Sequence, residues 1–491
     1  MEEGCIPRRW QLGGRFGIRV RPCEERKAIP LIEEAALRME GYLGSSAREE
    51  DSDHRELAEA LRGLLDLEAV DLMYLPVVPS RVPHELEQPP DNTVHPELAC
   101  ETRFLPRPLK DGFTFVELFA GIGGFRLGLE ALGGRCVFAS ETDAECVAVY
   151  EANFGTEPPV FGDICQVDED SIPPHDVLVG GFPCQPFSSL GLQPGLSDDK
   201  GMLFLEIVRV LRAHRPRAFL LENVPGLLMC DDGLVITRIV SELEALGYSV
   251  SLEKLDARCL TAQRRNRVYI VGLRLDGTDG SSERAFGFPY IPDLGLRAGD
   301  VLEAEEDLVA AGEAALHTLT SQQLERLLRG DSRSWRPWKS CRWRPAMLAW
   351  DSTICDTLVS HYGEALHKGN FQLAPRPPPH NPRRLTPREC ARLMGFPQGF
   401  DLGRQAAGDD PARHRWCRAR YRLLGNAVCP PVVAALGGAL LARCPGISSE
   451  QDWAAIGRSA AVQLALRSVV PRRREGLLDK VHASFREAAV D

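Results

Sequence analysis

The chain has 491 residues, 44% of them apolar and 26% charged, with a formal net charge of −11. That is the composition of a soluble globular protein long enough for two to four domains. An acidic balance argues against nucleic acid as a bulk electrostatic partner, but local patches decide binding in a large enzyme, and the stretches Arg326–Arg344 and Arg383–Arg422 are basic.

None of the fifteen cysteines forms a Cys-x-x-Cys pair. Neither a zinc site nor a disulfide scaffold is expected. Reduced thiols imply an intracellular compartment: the nucleus in a eukaryote, the cytoplasm or nucleoid in a bacterium. The start at Met1–Cys5 has no basic-then-apolar signal pattern. The longest apolar stretch, Val428–Leu441, is too short to span a bilayer and contains two prolines, so no membrane segment is expected.

Residues 1–111 carry no catalytic motif. Leucines at three-to-four spacing predict helices over Leu31–Leu43 and Arg55–Tyr74. Prolines 76, 79, 83, 89, 90 and 96 then mark a linker. The plain reading is a helical extension; the functional one is a module that binds a protein partner.

Residues 112–275 alternate strands and helices, which predicts an α/β fold with a mostly parallel sheet covered on both faces. The predicted strands are 114–119, 136–140, 176–179, 218–221, 248–255 and 267–273; the helices are 125–132, 144–153, 201–213 and 234–246. Residues 276–383 break this rhythm with Gly, Pro and Trp clusters, and predict a small loop-rich domain. Helix returns after Thr386, where Thr386, Pro387 and Glu389 form an N-cap, first-turn proline and capping box. A last catalytic helix is expected over about 431–443, and residues 444–491 form a helical tail.

Four motifs sit at predicted strand ends. Phe119-Ala120-Gly121-Ile122-Gly123-Gly124-Phe125 is a glycine-rich strand-to-helix turn, where a ligand can approach backbone N–H groups at a helix start. Glu141, about 20 residues on, can accept the two hydroxyls of a ribose. Asp163 and Ile164 follow the next apolar segment and suit an adenine. The third glycine of the dinucleotide fingerprint is missing, so a nucleoside cofactor without pyrophosphate fits better.

The second motif, Pro183-Cys184-Gln185-Pro186, presents a thiol in a rigid turn after a strand. The third, Glu222-Asn223-Val224, ends another strand. Both ends should open on the carboxyl edge of the sheet, where α/β enzymes bind ligands. A thiol beside a carboxyl suggests covalent attack with proton donation. In the fourth, Gln263-Arg264-Arg265-Asn266-Arg267, two arginines at alternate positions of a strand start should face one way and reach the site.

Together these segments resemble the cytosine-5 DNA methyltransferases that use S-adenosylmethionine. The resemblance covers about Phe113–Leu441. It includes the Thr386 helix segment Arg384–Pro397, which resembles the motif packing the recognition domain, and Gly425-Asn426-Ala427-Val428, which resembles the final motif returning to the cofactor site.

The resemblance implies a Rossmann-like S-adenosylmethionine-dependent methyltransferase sheet with a target recognition domain. Cys184 would be the nucleophile and Glu222 the acid, with Arg265 and Arg267 beside them. Phe119, Gly121, Gly123, Gly124, Glu141, Asp163, Ile164, Pro183 and Asn426 would hold S-adenosylmethionine and release S-adenosylhomocysteine, with no metal. Double-stranded DNA would be the partner of a monomer. Its contacts would come from Gln185, Ser188 and Lys200 on a loop that closes over a flipped base, from Thr357, and from Arg336, Lys339 and Arg342, which alternate with Trp335, Trp338 and Trp343. A small Trp core with solvated arginines is the competing reading of that last cluster. A tRNA cytosine-5 methyltransferase and a non-catalytic scaffold of the same fold are the rival functions.

Overall fold

The computed structural model describes residues 112–183, 202–275, 285–329, 353–363, 373–403, 410–444, 447 and 452–474, apart from 292, 378 and 472, together with the backbone of three short strands near the N-terminus. Those strands are β1 (Arg9–Leu12), β2 (Phe16–Val20) and β3 (Val70–Tyr74), and they form an antiparallel sheet in that order. β3 corrects the end of the helix expected over Arg55–Tyr74; residues 55–69 lie outside the described residues. Its Val-Asp-Leu-Met-Tyr run alternates apolar and polar at its start, and Pro76 lies just beyond it. The helix expected over 31–43 lies outside the described residues.

The alternating region forms one seven-stranded sheet. Its strands are β4 (Thr114–Leu118), β5 (Arg135–Ser140), β6 (Val160–Phe161), β7 (Val177–Gly180), β8 (Ala218–Asn223), β9 (Tyr248–Asp256) and β10 (Asn266–Arg274). They lie in the order β6-β5-β4-β7-β8-β10-β9. All pairings are parallel except those of β10, which runs antiparallel to both β8 and β9. β4, β7 and β8 are almost wholly buried apolar runs, as a sheet covered on both faces requires.

The covering helices are α1 (Gly124–Glu130), α2 (Ala144–Phe154), α3 (Met202–His214) and α4 (Leu234–Ala245). Strand order reverses between β4 and β7. The carboxyl ends of these neighbours therefore form the switch point at which open α/β sheets take ligands. Both the glycine turn and the segment Gly181–Pro183 leave from that point.

Among the described residues, 285–384 contribute only short helices, α5 (Ala298–Val301), α6 (Glu305–Ala310), α7 (Ala314–His317) and α8 (Ser321–Arg329), plus the strand pair β11 (Leu373–Ala374) and β12 (Arg383–Arg384). α9 (Pro387–Leu393) begins with the capping box expected from sequence: Thr386 Oγ1 accepts from Glu389 N at 3.1 Å, and Glu389 Oε2 accepts from Thr386 N at 2.8 Å.

α10 (Asp410–Asn426) and α11 (Pro430–Leu441) then lead back under the sheet. α10 was not foreseen, because its arginine-rich sequence carries little apolar signal. Residues 412–441 together are long and apolar enough to cross a membrane, but 94% of the apolar window is buried inside the protein, so these are core helices. α12 (Trp453–Arg467) packs on α11 where Gly438 and Gly457 meet, so closely that a Cβ on either would strike the other's backbone. Trp453, 2% exposed, lies edge-on to Phe113 at 6.2 Å. The tail is thus built into the catalytic core through α12.

Candidate active site

The glycine turn is shaped by three glycines with three different reasons. Gly121 has φ +55° and open space where a Cβ would stand. Gly123, φ +84°, caps α1; a Cβ there would meet the Phe154 ring at 2.2 Å. A Cβ on Gly124 would meet Val428 Cγ2 at 2.6 Å. Only Gly121 therefore leaves room for a ligand. The other two admit close packing by α2 and by the returning C-terminal motif. Phe119, at the end of β4, is held at φ +56°, a costly conformation for a bulky residue and a mark of an over-determined turn.

Glu141 lies across this turn. Its Oε2 accepts from Gly121 N at 2.8 Å, and its Oε1 accepts from Thr142 N and Asp143 N, each at 2.8 Å. The carboxylate is held by backbone, and each oxygen retains capacity for a further donor. Asp163 is exposed and caps a short 3-10 turn through Cys165 N at 3.0 Å. Ile164 is buried, 2% exposed, in the core cluster that also holds Phe138 and Leu178. Asn426 is exposed at the end of α10.

β7 delivers the chain to the second half of the site. A Cβ placed on Gly181 would stand 3.7 Å from Glu222 Oε2. Asn223 Nδ2 donates to Phe182 O at 3.0 Å, which fixes the backbone just before Pro183. Asn223 was quoted within its motif without a role; alternation along β8 was the available signal, since it sends residues 222 and 223 to opposite faces. Pro183 is exposed at the end of the described segment. Cys184, Gln185, Ser188 and Lys200 lie outside the described residues, as do Arg336, Lys339 and Arg342.

Glu222 is buried at the end of β8, opposite Tyr269 of β10. Arg267 Nε stands 3.0 Å from its Oε1. Burial raises the Glu222 pKa, against the lowering influence of Arg267 and then Arg265. A protonated carboxyl is therefore favoured more than in water.

The two arginines take different partners. Arg267, in β10, faces Glu222. Arg265, before the strand begins, turns its guanidinium inward: Nη1 donates to Leu358 O at 3.0 Å, and Nη2 donates to Gly425 O and Ala427 O at 3.1 and 2.7 Å. It clamps backbone from two distant segments, and its pKa is lowered to about 10, chiefly by burial and then by Arg267. The expectation that both side chains reach the site on one face thus holds geometrically for Arg267, while the donors of Arg265 are committed to main-chain carbonyls.

Gln263 joins the same assembly. Its Nε2 donates to Leu393 O at 2.6 Å, and its Oε1 accepts from Leu358 N at 3.0 Å. Thr357, next to Leu358, donates its hydroxyl to Arg264 O at 2.6 Å. Segment 355–358 is thereby fastened along the fourth motif, beside the site.

The comparisons agree with this geometry. The model of the family described as C-5 cytosine-specific DNA methylase matches residues 113–442. Type II methyltransferase M.DsaV of Dactylococcopsis salina is 37% identical over 333 residues, 68% of this chain and 87% of the relative. Type II methyltransferase M.NlaX of Neisseria lactamica is 36% identical over 342 residues, 69% of this chain and 99% of the relative. In fold, the chain resembles the S. pombe Dnmt2 methyltransferase, with a TM-score of 0.50 at 21% identity over 67% of this chain and 97% of that one. The chain therefore belongs to the C-5 cytosine-specific DNA methylases and is a DNA (cytosine-5)-methyltransferase.

Proposed function

We propose that the protein transfers a methyl group from S-adenosylmethionine to carbon 5 of a cytosine flipped out of double-stranded DNA, through a transient Cys184 bond at carbon 6. The observation that carries this reading is the buried Glu222 carboxyl beside Gly181, three residues before Cys184 and one strand from the glycine turn.

Carbon 5 of cytosine is too electron-poor to attack a methyl group unaided. The Cys184 thiolate adds to carbon 6, and the ring electrons move toward carbon 5 and ring nitrogen 3. Protonated Glu222 donates a hydrogen bond to nitrogen 3 and stabilises that charge. Arg267 orients Glu222 and adds positive field, which also favours the thiolate. When bound, S-adenosylmethionine supplies an electrophilic methyl on a sulfonium. Carbon 5 would accept that methyl as its bond to sulfur breaks, leaving S-adenosylhomocysteine. A base then takes the carbon 5 proton, and the Cys184 thiolate leaves as the double bond returns.

The cofactor fits the residues present. Open space at Gly121 admits a ligand against backbone N–H, and the pinned Glu141 carboxylate can accept ribose hydroxyls. Phe119, Asp163, Ile164, Pro183 and Asn426 would complete the cradle. Gln185, Ser188, Lys200 and Thr357 would meet the flipped nucleotide, and Arg336, Lys339 and Arg342 the flanking phosphates. Gly123 and Gly124 support the cradle through packing. The enzyme would act as a monomer, with residues 1–111 free to engage a protein partner. The two relatives at 36–37% identity are bacterial, which favours a bacterial cytoplasm.

The test is methyl transfer from labelled S-adenosylmethionine to duplex DNA and to tRNA in parallel, with trapping on DNA containing 5-fluorocytosine. Transfer to DNA and a covalent adduct are expected, both lost in Cys184→Ser. Transfer to tRNA alone, or an adduct that survives Cys184→Ser, overturns the reading.

A further inference from the structure

Arg422 lies on α10, outside every motif quoted above. Its guanidinium bridges the main sheet to the C-terminal helices: Nη1 pairs with Asp143 Oδ2, and Nη2 pairs with Glu145 Oε2 at 2.9 Å. Both carboxylates belong to the first turn of α2. Asp143 caps that helix, its Oδ1 accepting from Glu145 N at 3.0 Å and Cys146 N at 3.4 Å. The Asp143 backbone N–H in turn donates to Glu141 Oε1 at 2.8 Å, and the other Glu141 oxygen holds Gly121 N. A continuous chain of polar contacts thus runs from α10 through the α2 cap to the carboxylate facing the glycine turn. The hydrogen bond from Arg422 also holds the Asp143 carboxyl below the usual carboxylate range.

The other end of this link matters equally. Arg422 stands three residues before Gly425, whose carbonyl is clamped by Arg265, and four before the exposed Asn426. Three carboxylates within five residues, Glu141, Asp143 and Glu145, would repel one another without a shared cation. Arg422 pairs with two of them, Asp143 and Glu145, from the helix that leads to Gly425 and Asn426.

We propose that Arg422 is a positioning residue for the cofactor: it straps α10 to the Glu141 loop and so fixes the carboxylate that receives the ribose, without touching the cofactor itself. The inference rests on the assignment of S-adenosylmethionine to this cradle. The pair is half exposed, and such pairs contribute little to global stability. Its effect falls on local order at the loop, hence on cofactor affinity rather than on the chemical step.

The experiment is calorimetric titration of the full chain with S-adenosylhomocysteine, alongside kcat and KM for the methyl donor and the thermal midpoint without ligand. Arg422→Ala is expected to weaken Kd about fivefold and raise KM in proportion, with kcat at saturating donor within twofold and an unchanged ligand-free midpoint. Arg422→Lys should restore most of the affinity, and Glu145→Gln should lose about half of the effect. Wild-type protein that binds S-adenosylhomocysteine while Arg422→Ala binds it within twofold overturns the strap. Parallel loss of kcat and of the ligand-free midpoint also overturns it, because the role would then be structural. Failure of the wild-type chain to bind S-adenosylhomocysteine would instead strike the cofactor assignment.

Discussion

Two buried glutamate–arginine pairs in this protein differ in how fully the carboxylate is bonded. At α9, Arg383 grips Glu389 with two parallel contacts of 2.7 Å, and the same carboxylate also accepts Thr386 N and Glu303 N, each at 2.8 Å. Every lone pair has a use, so the pair is a rivet between the loop-rich insert and the catalytic core. At β8, Glu222 has one contact of 3.0 Å with Arg267, and its remaining oxygen faces the β7 turn. A saturated carboxylate holds structure; one left short of partners in a buried cleft retains capacity for a substrate.

Substitution should separate the two pairs most sharply. Glu222→Gln should lower kcat by about 10² to 10⁴-fold, the range of general-acid effects, with the denaturant midpoint nearly unchanged. Glu389→Gln should reverse the pattern. Breaking a buried, fully bonded pair costs about 3–5 kcal/mol, read in urea unfolding, while kcat per folded molecule stays close to wild type. Equal stability losses in both variants would erase the distinction.

The neighbouring arginines sharpen it next. Arg265→Met removes three donors to backbone carbonyls and should destabilise by about 3 kcal/mol, since it leaves buried acceptors unpaired. Arg267→Lys keeps a cation but not its planar fork, and should cost about tenfold in kcat with the fold intact.

The glycine turn offers a smaller contrast. Gly123→Ala sets a Cβ against Phe154 and should lower the unfolding midpoint. Gly121→Ala meets no neighbour; its cost is about 1–2 kcal/mol of left-handed backbone strain, expressed as weaker S-adenosylhomocysteine binding.

pH dependence gives a further contrast. Burial raises the Glu222 pKa, so its acid form persists above the ordinary carboxyl range. kcat should fall as pH rises through the folded pKa, and Glu222→Gln should lack that limb. Glu117, wholly buried under the glycine turn, is raised from 4.5 to about 8 by desolvation. The folded state therefore binds this proton more tightly than the unfolded chain. Its contribution is full below pH 4.5 and is lost as pH climbs toward about 8. Urea midpoints across that window should decline in the wild type and flatten in Glu117→Gln.

Much of this was readable without coordinates. The six strands and four helices expected in the alternating region stand close to where apolar runs and glycine stops put them, because β4, β7 and β8 are buried on both faces and carry that burial in composition; the two-residue β6 was too short to be foreseen. The α9 capping box was legible for a local reason: its two hydrogen bonds close within four residues. β3 was misread as helix, since leucine spacing across 55–74 suits either structure where no partner strand is visible. α10 was missed because its apolar contacts depend on distant segments. Arg265 and Arg267 could not be told apart by alternation, as the carbonyls that capture Arg265 lie more than 90 residues away.

The order of the motifs and the chemistry of their residues were set by the sequence itself: a thiol turn, a strand-end glutamate and a glycine turn, each with local backbone demands that few residues meet. Tertiary structure alone decided which glutamate is riveted and which is left short of partners, which arginine faces Glu222, and that Arg422 reaches the cap of α2. Those outcomes depend on hydrogen bonds between segments far apart in the chain, and burial sets their strength only after the fold has closed.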